Sequence, residues 1–142
     1  MQRSVYHSPV YHSQSIQAWE QRWFAQQNSS LGLMQQAAWT ITQQLVAQFQ
    51  QKKIRNIAVW CGYGNNAGDG YYIAAFLKQA GFKVTVFSSE MGDSADLKRA
   101  YQYAQSQQVN VQLLNPSCGT TTVPHSFDKG ELSVDCHIDA LF

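Results

Sequence analysis

Ile57-Ala58-Val59-Trp60-Cys61 runs directly into Gly62-Tyr63-Gly64-Asn65-Asn66-Ala67-Gly68-Asp69-Gly70, and the reading of this stretch decides the fold. The first five residues form an apolar run of strand length, stopped by Gly62 and Gly64. After Gly70 the period becomes helical, with Ile73, Ala74, Phe76 and Leu77 on the apolar side and Gly81 in the position of a helix C-terminal stop. A buried strand that hands over to a helix through glycines turns that junction toward ligand. The peptide N–H groups at the helix start are free there to hold a phosphate or another anion.

Working downstream, residues 83–87 read as a second strand, and Asp93 is expected to cap a helix whose apolar side is Leu97, Ala100, Tyr101 and Ala104. A short strand at 109–113 follows. Strand, helix, strand, helix, strand with such short links requires parallel pairing and right-handed crossovers. Helices on both faces account for strands that are apolar throughout. Residues 115–130 contain Pro116, Gly119, three threonines and Pro124 and read as surface loop, before a last strand at 132–138. Phe142 follows Asp139 so closely that the sequence is expected to be the front part of a larger sheet. Upstream, Leu33, Ala37, Ile41, Leu45 and Phe49 mark a helix ending near Lys52 and Lys53, and Ile16, Trp19 and Trp23 mark another to about residue 27. Residues 1–14 read as an arm, and 15–142 as one domain, incomplete at its C-terminus.

Composition narrows the class. A chain of 142 residues has room for one core. Charged residues are only 13%, with glutamine supplying the missing polarity, and a net charge of +1 implies no nucleic-acid or membrane steering field. Residues 1–56 carry five basic side chains and one acid, Glu20, whereas the remainder carries five basic side chains and eight acids. Three cysteines without metal-like spacing fit a reducing compartment, and no leader-like or membrane-spanning apolar run is present, so the cytoplasm is the expected location.

Gly62-x-Gly64-x-x-Ala67 satisfies the common dinucleotide fingerprint, with Glu90 as a conceivable ribose ligand, and so suggests a dinucleotide-dependent oxidoreductase. Asp69 argues against a plain pyrophosphate cradle, because a carboxylate opposes phosphate unless it is turned to a hydroxyl or a cation. A purely structural reading makes Asp69 a helix cap and lets Asn65 and Asn66 brace the turn. Asp135, His137 and Asp139 alternate onto one strand face and form a possible metal constellation, although three residues on one strand rarely close a coordination sphere. Cys61, Cys118 and Cys136 read as packing or loop residues.

Residues 61–71, with Ala74-Ala75 and 80–86 after them, closely resemble the N-terminal domain of YjeF-type proteins, the NAD(P)H-hydrate epimerases. Residues 31–38 resemble the family's second-helix segment, and Asp139-Ala140-Leu141-Phe142 its strand-end motif. Ala67 and Ala38 stand where the family usually has glycine. The resemblance implies a Rossmann-like three-layer α/β/α sandwich with a mostly parallel sheet. It implies interconversion of the R and S epimers of hydrated NADH and NADPH (NADHX and NADPHX), a nicotinamide-nucleotide repair reaction. On the family's pattern Asn65, Asn66, Ala67, Gly68 and Asp69 contact the substrate, while Asn66 and Asp139 hold a potassium ion. A homodimer and, in full-length chains, a fused dehydratase domain are the expected associations. A non-catalytic nucleotide-binding scaffold using the same pocket is the alternative from a different class.

Overall fold

The computed structural model describes residues 18, 30–114 and 133–141. The arm, the expected helix at 15–27 apart from Ala18, and the loop at 115–130 with Cys118 lie outside the described residues. The elements are α1 (Ser30–Lys52), β1 (Asn56–Cys61), α2 (Asn65–Gln79), β2 (Lys83–Ser88), α3 (Ala95–Ser106), β3 (Asn110–Leu113) and β4 (Cys136–Ala140).

The four strands are parallel in the order β3-β2-β1-β4. Two successive crossovers carry the chain from β1 through β2 to β3, and the handedness rule for such units puts α2 and α3 on the same face. There α2 packs on β1, β2 and β4, and α1 and α3 flank it. Ile57, Val59, Cys61, Val84 and Val86 join Ala74, Ala75, Leu77, Leu97, Ala100 and Ala104 in one buried cluster. The fold is thus a Rossmann-like α/β sandwich; among the described residues the helical layer is that of one face.

Two local expectations are corrected. The buried side of α1 is Ala38, Thr42 and Phe49, with Leu31, Met34, Leu45 and Val46 against the core, whereas Ala37 is exposed and Ile41 is 43% exposed. A ladder of strict i, i+4 steps drifts by about 40° per step, so residues 33 to 49 wind roughly 160° around the helix. The packed face instead mixes steps of three and four. The cap of α3 is Ser94, whose side chain accepts from the Leu97 N–H at 3.4 Å, while Asp93 forms an exposed ion pair with Lys98 at 3.8 Å. Ser94 immediately precedes the helix and so reaches the N–H of Leu97 three residues on, for which Asp93 is one position too early. Elsewhere the apolar side of α3 is as read, with Leu97, Ala100 and Ala104 buried.

Candidate functional site

Strand order reverses between β1 and β4, since β2 and β3 lie to one side of β1 and β4 to the other. In open parallel sheets the crevice at the carboxyl ends of such a pair is where ligands bind. Cys61 lies opposite Ala140 in the register, and the pairing continues past both strands with Gly62 N–H donating to the Ala140 carbonyl at 3.1 Å. On the other flank Ser89 N–H donates to the Cys61 carbonyl at 3.0 Å. The turn that starts at Gly62 is therefore held between the ends of β2 and β4.

Two glycines are required by close approach. A Cβ on Gly62 would run into the Leu141 carbonyl, and one on Gly70 would lie 2.8 Å from both the Ala140 Cβ and the Cys61 Sγ. Gly70 seats α2 directly on β1 and β4, which brings the helix N-terminus to the crevice. Gly64 is the N-cap of α2 in an extended conformation, with open space where its side chain would be and no side-chain cap. Ala67 N–H is taken by the Gly64 carbonyl at 3.1 Å; among the described residues no acceptor meets the N–H groups of Asn65 and Asn66. This is an anion-accepting helix start.

The residues expected at the site divide by burial. Asn65 and Asn66 are exposed at the mouth, Ala67 and Gly68 are buried, and Asp69 is half-buried. Ala67 lies in regular helix with no positive φ, so its methyl group is accommodated without strain. Asp69 lies in the second turn of α2 and is not the cap, which corrects the purely structural reading. Burial pushes its carboxyl up to about 6. Asp139 leaves β4 on the face opposite α2, but its Oδ1 accepts from Leu141 N–H at 2.9 Å, which turns the carboxylate up to the strand end. Asn66, at the amino end of α2, and Asp139, near the carboxyl end of β4, thus both lie at the crevice end of the sheet.

The strand constellation at Asp135, His137 and Asp139 is used otherwise. Asp135 Oδ2 accepts from the N–H groups of Arg55 and Asn56, both at 2.8 Å, at the opposite end of the sheet from the crevice. These bonds hold its carboxyl below the usual carboxylate range. His137 Nδ1 accepts from the Trp60 indole at 3.0 Å, and its ring stacks on Trp60, which stacks on Phe87. Among the described residues no group of three or more His, Cys, Asp and Glu is placed to hold a metal. Cys61 is buried, and burial pushes its thiol up to about 12, the opposite of an activated nucleophile. Glu90 is exposed beyond the end of β2. Sequence reading passed over Tyr63, whose ring is 71% exposed at the mouth and whose carbonyl closely approaches Gly92. A large aromatic residue between two glycines was the available signal.

Comparison with known proteins agrees with this geometry. The model of the YjeF-related protein N-terminus matches residues 30–142. The NAD(P)H-hydrate epimerase of Ajellomyces capsulatus is 34% identical over 112 residues, covering 78% of this chain and 41% of that protein. The bifunctional NAD(P)H-hydrate repair enzyme Nnr of Dictyoglomus turgidum is 42% identical over 57 residues, covering 39% of this chain and 11% of its own length. The crystal structure of yeast ynu0, YNL200c, superposes with a TM-score of 0.71 at 22% identity, covering 95% of this chain and 57% of that one, a likeness of fold. The chain spans less than half the length of these two curated relatives. Because the match at 30–142 takes in most of the chain and contains every element that builds the crevice, the chain belongs to the family of YjeF-related protein N-termini.

Proposed function

We propose that the chain carries the nucleotide-binding half of an NAD(P)H-hydrate epimerase site and serves the interconversion of the R and S epimers of hydrated NADH and NADPH. The observation that carries this reading is the uncapped start of α2 at the β1–β4 switch point, reached through a turn that only glycine at position 62 can make. Support comes from family membership and from the name of the Ajellomyces relative. The bifunctional relative supports association with a second repair activity in longer chains. No relative reported above is named as an oxidoreductase, so that alternative is not favoured.

In this reading the free N–H groups of Asn65 and Asn66 bind substrate phosphate, and the segment 65–69 lines the nucleotide. The donor chemistry suits a hard monovalent cation: Asn66 offers an exposed amide oxygen, and Asp139 keeps Oδ2 free while Oδ1 is engaged by Leu141 N–H. Asn66 and Asp139 are the residues that would hold potassium. Held there, the ion would supply positive charge to an anionic substrate. Burial of Ala67 and Gly68 fixes the turn so that neither polar neighbour has to reorganise on binding.

A single purified hydrate epimer, mixed with the folded chain and followed by chromatographic separation of R and S, tests the proposal. The expected result is equilibration faster than the spontaneous rate, greater in potassium than in sodium buffer, with the potassium effect lost in Asp139→Asn. Equilibration at the spontaneous rate by a chain shown to be folded refutes it.

A further inference from the structure

Asp69 is the one acid in α2, and its surroundings are unusual for a carboxylate. It is half-buried, and among the described residues no hydrogen bond or ion pair reaches it. Helical spacing places Asp69 on the side of α2 that carries Asn65 and Asn66. That side is opposite Tyr71, which reaches Ser88 of β2 and the Tyr101 ring of α3. Asp69 therefore lies toward β4 and the switch point. A side chain kept for packing or solubility would gain from a partner or from full exposure, and this one has neither.

Resting on the proposed reaction, we infer that Asp69 is its acid–base residue, giving a proton to the departing hydroxyl and recovering it from the returning water. In the acid form Asp69 protonates the hydroxyl on the ring carbon next to nitrogen. The C–O bond breaks and water leaves. The nitrogen lone pair forms a C=N double bond, so the cationic ring sits beside a new carboxylate. Water then adds to either face of that carbon, the C=N electron pair returns to nitrogen, and the carboxylate takes the surplus proton from the added water. The ring ends as either epimer, Asp69 is again an acid, and no oxidant or reductant is consumed.

The residue is suited to both halves because burial raises its carboxyl to about 6, near enough to neutrality for both forms to be available. The charged and titratable groups on the packed elements do not replace this cause. On α1 the only such group is Lys52, at the far end of that helix; β1 offers the buried Cys61 thiol, β2 has Lys83 at its far start, and β4 carries Cys136 at its far start and His137 and Asp139 on the opposite sheet face. On α3 there are Asp96, Lys98, Arg99, Tyr101 and Tyr103, and on α2 itself Tyr71, Tyr72 and Lys78. Burial alone accounts for the direction of the shift.

The test is the pH profile of single-epimer conversion by the full chain, after subtraction of the spontaneous rate, with Asp69→Asn and Asp69→Glu in parallel. The unaltered chain should lose kcat/KM about tenfold per pH unit above the titration of Asp69. Asp69→Asn should lose about 100-fold or more with KM little changed and the limb abolished, while Asp69→Glu keeps the limb. A second readout needs no turnover. Because the folded carboxyl titrates above its unfolded value, ionisation opposes folding at neutral pH and that penalty disappears as pH falls toward 4. Asp69→Asn should therefore be the more stable protein at pH 8, with the gap closing in acid. An Asp69→Asn rate within threefold of the unaltered chain, an unchanged limb, or a stability gap that is flat with pH overturns the acid–base role and leaves the epimerase reading standing. No acceleration by the unaltered chain overturns both.

Discussion

Replacing Gly70 by alanine puts a methyl group 2.8 Å from the Ala140 Cβ and 2.8 Å from the Cys61 Sγ, with Val59 Cγ1 at 3.5 Å. The first two neighbours sit on β4 and β1, so α2 or the strands must shift. Overpacking of this kind costs about 1–3 kcal/mol, against which the helix gains about 1 kcal/mol from alanine over glycine. The net expectation is a loss of about 0–2 kcal/mol. Gly68 in the same helix is the internal control, because its new methyl would meet the Met34 thioether at 2.6 Å, the middle of a flexible side chain on a part-buried helix face. Gly68→Ala should be close to neutral, leaving Gly70→Ala the less stable by about 1 kcal/mol, the middle of that range. Urea denaturation of both proteins under one buffer reads the difference. Adding Cys61→Ala to Gly70→Ala removes one of the two clashes and should show a favourable coupling of at least about 0.5 kcal/mol. Gly70→Ala as stable as Gly68→Ala, or no coupling with Cys61→Ala, would mean that α2 does not rest on the sheet at this point.

Further outcomes follow from individual contacts. Tyr71→Phe removes a buried hydroxyl pair, Tyr71 Oη to Ser88 Oγ at 2.6 Å, and should cost about 1 kcal/mol in denaturant unfolding; Ser88 retains its bond to the Ser89 carbonyl at 2.9 Å, so a much larger loss would point to repacking. Lys53 ends α1 with φ 57, and Ile54 N–H closes back to the Phe49 carbonyl at 3.0 Å, so Lys53→Gly should raise stability by about 1 kcal/mol, and a fall would contradict this geometry. Asp135 is held ionised by the Asn56 and Arg55 N–H groups, so its support for the fold is complete above the unfolded carboxylate range and is lost as pH falls through the lower folded value. The stability gap between the unaltered chain and Asp135→Ala should accordingly shrink in acid, and a gap independent of pH would refute the assignment.

The first three strands and the glycine stop at Gly62 could be read from the sequence because their signals are local, whereas α2 starts at Asn65 rather than after Gly70 and the last strand is Cys136–Ala140 rather than 132–138. Apolar runs marked off by Gly62 after β1 and Gly81 before β2 showed the first two strands, and a helix start at the end of β1 followed from the first of them. The side chains that failed to follow the reading did so through competition. Asp135 alternates in phase with His137 and Asp139, yet two backbone N–H groups at the start of β1 claim it, and Trp60 claims His137. Such cross-strand partners depend on register, which no single segment specifies. The rotation of α1 was misjudged because Ile41 and Thr42 differ by one position, and tertiary contact preferred the threonine, whose hydroxyl is satisfied by the Ala38 carbonyl at 2.7 Å. The half-burial of Asp69 lay beyond the sequence for the same reason, being set by how closely α2 is drawn down upon its neighbours.

That closeness gives the molecule a built-in gauge. With α2 seated, the Cys61 sulfur is enclosed and its thiol is held in the unreactive protonated form. A small alkylating reagent can reach it only when the helix lifts, so the labelling rate at Cys61, resolved from the other two thiols by peptide mass, would time the opening of the crevice floor. A bound nucleotide that clamps the start of α2 should slow that clock.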